Sequence, residues 1–89
     1  MIRMFVRHQV TDFTTWKKAY DDFDDERTGM GVARGAVFQS ATDSNDITVW
    51  HDFETLDAAQ SFVESDRLRE VMASAGVAGE PQIWFTIPL

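Results

Sequence analysis

Two predicted strands of this chain carry apolar side chains on both of their faces, and this pattern restricts the fold more than any other feature. The strands are Asp46–Phe53 and Gln82–Leu89. Side chains alternate along a strand, so one face of the first strand carries Ile47, Val49 and Phe53. In the same way, one face of the second strand carries Ile83, Phe85 and Ile87. Trp50 and Trp84 then point to the opposite face. A sheet covered by its own helices on one side needs a second cover for these tryptophans, so we predict that two copies pair through their sheets.

The chain is short enough that its own core is thin. It has 89 residues, of which 44% are hydrophobic and 12% aromatic, and this indicates one folded domain over residues 1–89. A domain of this size buries only roughly 60–65% of the surface that its unfolded chain exposes. Homodimerisation is a common way to bury more surface, and it agrees with the two-faced strands.

The composition excludes several classes of function. There is no cysteine, so disulfides, thiolate catalysis and cysteine metal sites are excluded. The formal net charge of −7 disfavours nucleic acid and anionic membrane surfaces as partners. No apolar run is long enough to span a bilayer, and the first residues lack the basic and apolar regions of a signal peptide. We therefore expect a cytoplasmic protein with no nucleic-acid or membrane partner.

The spacing of apolar residues predicts the element order βαββαβ. Alternation predicts strands, while spacings of three and four after the caps Asp12 and Thr55 predict helices. The predicted elements are strands 2–10, 34–41, 46–53 and 82–88, helices 12–28 and 55–76 with an interruption at 65–66, a turn at 42–45 and a loop at 77–81. Right-handed crossovers fold this order into a four-stranded antiparallel sheet with both helices on one face, the α+β ferredoxin-like arrangement.

The densest charge cluster, Asp21–Glu26, falls in the last turns of the predicted first helix. Carboxylates are unfavourable there because the helix dipole is negative at that end. The run also lacks the spacing and the glycine of a calcium-binding loop. We interpret it as a solvated helix face.

Two histidines are the strongest candidates for chemistry. His8 lies near the end of the first strand, four residues before Asp12. An imidazole with an ordinary pKa of about 6.5 is suited there to act as a general base or to orient a substrate phenol. The structural alternative is a hydrogen bond from His8 to a backbone carbonyl or to Asp12. His51 interrupts an apolar face, so it needs a pocket group or a water as partner unless it is half-exposed near the strand end.

The two histidines form a pair if they share a sheet face and lie on neighbouring strands. A pair is not a metal site, because a third ligand such as Asp52 or Glu54 is required. No ligand spacing in the chain is diagnostic of a metal site, so we expect none.

Other strand residues are candidates for lining a pocket. Arg7 is suited to clamp a carboxylate or a phenolate, or it extends its charge to the sheet edge, and Gln39 is a further polar strand position. Trp16 belongs to the apolar stripe of the first helix and is predicted to be core. Trp50 and Trp84 either stack on an aromatic ligand or seal the dimer. The candidate pocket residues are Arg7, Gln39, Trp50, His51 and Trp84.

No motif indicates a bound cofactor. The sequence has no Ser-His-Asp order with a nucleophile elbow, no phosphate-binding glycine loop and no dinucleotide fingerprint. We therefore expect no cofactor.

Two segments resemble the dimeric α+β barrel superfamily: HQVTDFTTW at residues 8–16, followed by Tyr20, and DITVWHDFETLDAAQSF at residues 46–62. The resemblance spans nearly the whole chain. This superfamily includes antibiotic-biosynthesis-monooxygenase-like domains, small polyketide-cyclase-like proteins, muconolactone isomerases and stress-induced barrel proteins. The resemblance implies a homodimer whose sheets face each other, with a small-molecule pocket between each sheet and its helices or at the barrel mouth.

The resemblance also suggests a reaction. Cofactor-independent monooxygenases of this superfamily oxidise electron-rich aromatic compounds with molecular oxygen. The first hypothesis is thus oxygenation, cyclisation or isomerisation of an aromatic or polyketide-like compound, with His8 as the acid–base group. Some of those enzymes place an Asn in the first strand, and this chain has none there; the haem-degrading branch uses a helix-borne His, whereas both histidines here lie in strands. The second hypothesis is a non-catalytic barrel, either a ligand-binding accessory or a stress-type dimer.

Overall fold

The computed structural model describes all residues 1–89 and contains the predicted order of elements, with each predicted helix divided in two. The elements are β1 (Ile2–Val10), α1 (Phe13–Asp22), α2 (Asp24–Gly29), β2 (Arg34–Gln39), β3 (Asp46–Phe53), α3 (Leu56–Val63), α4 (Asp66–Ser74) and β4 (Val77–Thr86).

The strands form one antiparallel sheet in the order β2-β3-β1-β4, and the helices pack on one side of it. This confirms the predicted α+β ferredoxin-like fold. In the central pair, Met4 of β1 lies opposite His51 of β3, and His8 lies opposite Ile47. The structure is of one chain, so pairing into a dimeric barrel stays a prediction.

The predicted first helix is divided at Phe23. Asp12 caps α1 as expected, and its carboxylate accepts a hydrogen bond from the Thr15 N–H at 2.9 Å. The break at Phe23 buries that side chain in the core and starts a new helix, α2. The acidic residues 24–26 then occupy the first turn of α2, where the helix dipole stabilises carboxylates. This corrects the expectation that the whole acidic cluster lies in the last turns of one helix.

The predicted second helix is divided at the predicted interruption. Thr55 caps α3 by accepting a hydrogen bond from the Ala58 N–H at 3.1 Å, and Ser65 caps α4 by accepting one from the Leu68 N–H at 3.3 Å. Each cap satisfies a backbone donor that the start of a helix leaves free. α4 is the one helix without a fully buried residue, although Leu68 and Val71 pack against the core.

The last strand differs most from its prediction. We expected a loop at 77–81, yet β4 begins at Val77 and ends at Thr86. Arg7 pairs with Gln82 and Gln9 pairs with Ala78, so β4 carries extra residues between these two pairs. Gly79 at φ +71° lies in this bulge, where the left-handed backbone favours glycine. The loop prediction was wrong because the bulge lets residues 77–81, whose composition is typical of a turn, stay within the strand.

The sheet has two sides of different chemistry. The helix-facing side holds two apolar clusters, one centred on Met4, Phe53 and Phe62 and the other on Trp16, Ile47 and Val49. Trp16 is buried there, as predicted for a core residue. The opposite side, here called the open face, has no covering element and includes Arg3, Phe5, Arg7, Trp50, Asp52 and Trp84.

None of the helices is both long enough and apolar enough to cross a membrane.

Candidate functional site

A cavity of about 80 Å³ lies between the helix-facing side of the sheet and the helices. Both apolar clusters contribute to its walls, so it lies at the seam between them. Of its 16 lining residues, 13 are hydrophobic. The polar groups that reach it belong to His8, Tyr20, Arg27 and His51. An apolar cavity with a few polar groups is the usual form of a small-molecule site.

His8 reaches the cavity because the alternation of β1 turns it towards the helices together with Met4 and Val6. Its side chain is buried, and neither ring nitrogen has a hydrogen-bond partner. Neither bond of the structural alternative is present: no backbone carbonyl accepts from the His8 ring, and the Asp12 carboxylate caps α1. Burial lowers the pKa of His8, and Asp46 opposes that shift. A neutral imidazole without partners therefore faces the cavity.

His51 occupies the other polar end of the cavity. It is buried rather than half-exposed, and its Nε2 lies 3.0 Å from the Tyr20 hydroxyl oxygen. Its Nδ1 has no partner. Burial lowers the pKa of His51 to about 4, and the nearby Arg27 guanidinium contributes to the shift. The His51 ring is therefore neutral at pH 7, with one nitrogen engaged and one free.

Arg27 and the Tyr20 hydroxyl are site residues that the sequence did not reveal. The Arg27 guanidinium carbon lies 3.7 Å from the centre of the Tyr20 ring. Arg27 also donates to the Tyr20 backbone carbonyl at 2.8 Å and to Asp24 at 3.0 Å. These contacts hold the Tyr20 ring against His51, and burial raises the pKa of the Tyr20 hydroxyl. The available signal was spacing, since Tyr20, Phe23 and Arg27 continue the helix stripe at intervals of three and four.

The two histidines share a face and lie on neighbouring strands, but they are not in contact. His8 pairs in register with Ile47 and His51 with Met4, so they are offset by four residues, or roughly 13 Å along the strands. Aromatic rings connect them along one wall, with ring-centre distances of 5.4 Å from His8 to Trp16, 5.1 Å from Trp16 to Tyr20 and 6.0 Å from Tyr20 to His51. The arrangement suits a flat aromatic ring with polar groups at both ends.

The geometry does not assemble a metal site. Asp52 lies on the open face, away from both histidines, and no three His, Asp or Glu side chains converge in the chain. The unpartnered ring nitrogens therefore face apolar walls rather than further ligands.

Four candidate pocket residues do not line the cavity. Arg7, Trp50 and Trp84 lie on the open face, because they have the opposite alternation to the cavity residues. Gln39 is on the helix-facing side but at the exposed end of β2, where its amide donates to the Ser44 carbonyl at 3.2 Å. Of the five candidate pocket residues, this cavity therefore includes only His51.

The open face is organised around paired charges and aromatic rings. Asp52 is fully buried and accepts hydrogen bonds from the Arg3 Nε at 2.8 Å and the Arg34 Nε at 2.7 Å. The Arg3 guanidinium carbon lies 3.8 Å from the centre of the Trp50 ring. Hydrogen bonds from the two arginines lower the pKa of Asp52 to about 2. Asp52 is thus a fixed anion that anchors two cations.

The rest of the open face repeats this pairing. Arg7 forms two hydrogen bonds to Asp46, at 3.0 and 2.7 Å. Phe5 stacks on Trp84 with ring centres 5.5 Å apart. In register, Phe5 lies between Trp50 and Trp84, and the three rings form an apolar row across the sheet.

No family model matches this sequence, and no curated protein matches it either. Solved structures do match the fold. A protein from Bordetella bronchiseptica, provisionally described as an antibiotic biosynthesis monooxygenase, has a TM-score of 0.85 at 17% identity, with 99% of this chain and 96% of that chain covered. SnoaB, a cofactor-independent oxygenase from Streptomyces nogalater, has a TM-score of 0.77 at 11% identity, with 99% and 93% covered.

The monooxygenase from the gene ActVA-Orf6 of Streptomyces coelicolor, solved with nanaomycin D, has a TM-score of 0.72 at 19% identity, with 99% of this chain and 87% of that chain covered. The chain therefore shares the fold of antibiotic-biosynthesis-monooxygenase-like proteins over nearly its whole length. The resemblance seen in its sequence is confirmed at the level of the fold.

Proposed function

We propose that the cavity binds a small aromatic or polyketide-like compound and that His8 removes a proton from it in a cofactor-independent oxygenation. The observation that carries this proposal is the buried His8 imidazole, whose two ring nitrogens have no partner in the apolar cavity. Leaving a buried polar group unpaired costs about 1–3 kcal/mol. A bound compound with a hydroxyl or an acidic C–H group supplies the missing partner.

The walls favour a flat aromatic compound. Trp16, Tyr20, Phe23 and Phe62 all contribute rings to the cavity, and such rings pack well against another ring. The cavity volume of about 80 Å³ is smaller than the roughly 300–1,000 Å³ of ordinary ligand pockets. A two- or three-ring compound therefore requires one wall to move.

Helix α4 is the wall best suited to move. It supplies cavity residues such as Val71 and Met72, yet none of its residues is fully buried. It begins after the break at Ser65 and ends before Gly76, whose φ of +85° marks a turn. On the outside, Arg67 holds it to Glu26 of α2 through two hydrogen bonds of 2.8 Å. Release of this ion pair lets α4 swing outwards and admit a larger ring.

The chemistry requires only a base and molecular oxygen. His8, neutral at pH 7, accepts a proton from a weakly acidic position beside a carbonyl. The resulting electron-rich anion reduces oxygen and forms a hydroperoxide, which loses water to leave a new carbonyl. For anthrone the balance is anthrone plus O₂ giving anthraquinone plus H₂O, with no external reductant. At the other end of the cavity, Tyr20 and His51 are placed to hydrogen-bond a substrate carbonyl.

The fold neighbours support this proposal by analogy. SnoaB is described as a cofactor-independent oxygenase, and the ActVA-Orf6 protein is a monooxygenase that was solved with nanaomycin D. Those activities belong to those proteins. They extend to this chain only as a proposal, because its own cavity holds a candidate base in an apolar, aromatic surrounding.

We further propose that the working unit is a homodimer paired through the open faces. The aromatic row and the exposed Trp84 provide apolar surface, and the buried Asp52 with its two arginines provides a fixed charged edge. A second copy of the same face is the occupant that covers the tryptophans on the uncovered side of the sheet.

Oxygen uptake with anthrone tests the oxygenase proposal, with anthraquinone measured as the product. We expect the His8→Ala variant to lose activity by roughly 100-fold or more, the usual contribution of a general base. Gln39→Ala is the matched control, because Gln39 is a polar strand residue outside the cavity. Conversion of anthrone to its tautomer anthrol, without oxygen uptake and without anthraquinone, would indicate isomerisation instead. Tight binding without turnover would favour the alternative of a ligand-binding accessory, and absence of binding would contradict the proposal.

A further inference from the structure

A second hollow adjoins the cavity on the far side of its polar end. It is a groove of about 550 Å³ between helices α1 and α2 and the edge strand β2, and most of its lining residues are polar. It shares three residues with the cavity: Tyr20, Arg27 and His51. These three side chains therefore form a partition between an apolar cavity and a polar groove.

A single hydrogen bond joins the two rings of the partition. The contact between Tyr20 and His51 is one hydrogen bond of 3.0 Å, and the other His51 ring nitrogen has no partner. On the groove side, the backbone of β2 lies directly against the imidazole at Gly35. A Cβ atom there would lie 2.6 Å from the His51 Cδ2 and 2.7 Å from the Trp50 carbonyl oxygen. Glycine thus lets the groove reach the edge of the His51 ring.

The charges of the groove determine what fits it. Lys17 pairs with Asp21 at 2.6 Å, and Arg27 pairs with Asp24 at 3.0 Å. Arg34 is engaged by Asp52 at 2.7 Å. Each cation that lines the groove thus already has a carboxylate partner, and two of those carboxylates, Asp21 and Asp24, line the groove themselves. A neutral hydrogen-bonding group fits this surface better than an anion, which would have to compete with the carboxylates.

We propose that this groove is a subsite for a neutral, oxygen-bearing tail of a ligand whose aromatic ring occupies the cavity. The tail passes the partition by replacing the hydrogen bond between Tyr20 and His51 with bonds from its own oxygen to the same two side chains. Exchange of one hydrogen bond for others makes this passage inexpensive. The inference rests on the proposed function, because it requires the cavity to hold the ring.

Calorimetric titration with three matched naphthalenes tests the subsite. 2-Methoxynaphthalene supplies the ring alone, 2-(2-naphthyloxy)ethanol adds a neutral tail, and 2-naphthyloxyacetate adds an anionic one. We expect the neutral tail to tighten binding by about 10-fold, equivalent to about 1.4 kcal/mol. The anionic tail should add less.

Filling the groove should remove this gain. Thr28 and Ala33 line the groove and are exposed, so Thr28→Trp or Ala33→Trp should block it. Thr14→Trp is the control, because it places the same ring on an exposed position of α1 outside both the cavity and the groove. We expect both groove variants to bind the methoxy compound like the native protein and to lose the gain in affinity from the tail. Thr14→Trp should keep that gain.

If the native protein binds the methoxy compound but gains no affinity from the tail, the subsite is overturned and the cavity proposal stands. Failure of all three ligands to bind overturns both, and a preference for the anionic tail overturns the neutral chemistry.

Discussion

The two sides of this one sheet treat their polar groups in opposite ways. On the open face every arginine has a carboxylate partner, since Arg3 and Arg34 share Asp52 and Arg7 holds Asp46. On the helix-facing side, three ring nitrogens of His8 and His51 are buried without a partner. Paired charges have no need of a further partner, whereas an unpaired buried polar group costs free energy that a hydrogen-bonding ligand would recover. This difference is the basis for our proposal that the open face serves assembly and that the cavity beneath the helices binds a ligand.

The largest effect is expected at the open face, if it is the dimer surface. Replacing Trp84 with Glu puts a charge at one end of the apolar row, beside Phe5. We expect the dissociation constant of the dimer to rise by roughly 100-fold or more, as for the loss of an interface hot spot. Leu56→Glu is the control, since Leu56 is exposed to a similar extent, 42% against 44%, but lies on α3. Sedimentation equilibrium or native mass spectrometry measures the change. If the native protein is a monomer, the proposal that the open face forms a dimer interface is contradicted.

The next effect is a pH dependence that belongs to the helix-facing side. His51 has a folded pKa of about 4 against an ordinary value of 6.5, so between these values the unfolded chain binds a proton that the folded chain does not. The free energy of unfolding should therefore fall as pH drops from 6.5 towards 4, by up to about 3 kcal/mol. His8 shifts in the same direction. Urea unfolding at pH 6.5 and at pH 4.5 measures the slope. His51→Gln should flatten it, and an unchanged slope in that variant would contradict the assignment.

A smaller effect separates the two ion-pair clusters of the open face. Asp52→Asn should lower the free energy of unfolding by about 2–3 kcal/mol, because it weakens two charge-assisted hydrogen bonds to a buried carboxylate. Asp46→Asn is the matched control at the more exposed Arg7 pair and should change stability much less. Urea unfolding at pH 7 measures both variants. Equal losses would mean that burial of Asp52 adds nothing to its pairing.

Alternation and capping made most of the fold predictable. The alternation of the strand residues placed Trp50 and Trp84 opposite the apolar sets, and Asp12 and Thr55 marked helix starts that the structure contains. The interruption predicted at 65–66 is the start of a further helix, capped by Ser65. Those signals are local, so they can be read from neighbouring residues. The bulge at Gly79 is not local, because it depends on which residues of β1 pair with β4.

The site was less predictable than the fold, for a related reason. His8 was recognisable as a polar residue at a strand end, but its lack of partners depends on where Asp12 directs its carboxylate. Arg7 and Arg27 show the same difficulty. Both are arginines beside predicted core residues, yet Arg27 stacks on the Tyr20 ring, whereas Arg7 lies on the open face and pairs with Asp46. Which partners a polar side chain finds depends on the three-dimensional fold, so spacing along the sequence does not predict it.

The most direct test of the ligand site is the free energy of unfolding of a His8→Leu variant, measured together with its oxygen uptake on anthrone. If the imidazole is held without partners for a ligand, an apolar side chain of similar size should raise the free energy of unfolding by about 1–2 kcal/mol. The same variant should lose oxygen uptake with anthrone. A variant that is less stable than the native protein would show that His8 is a structural residue, and would contradict the proposed site.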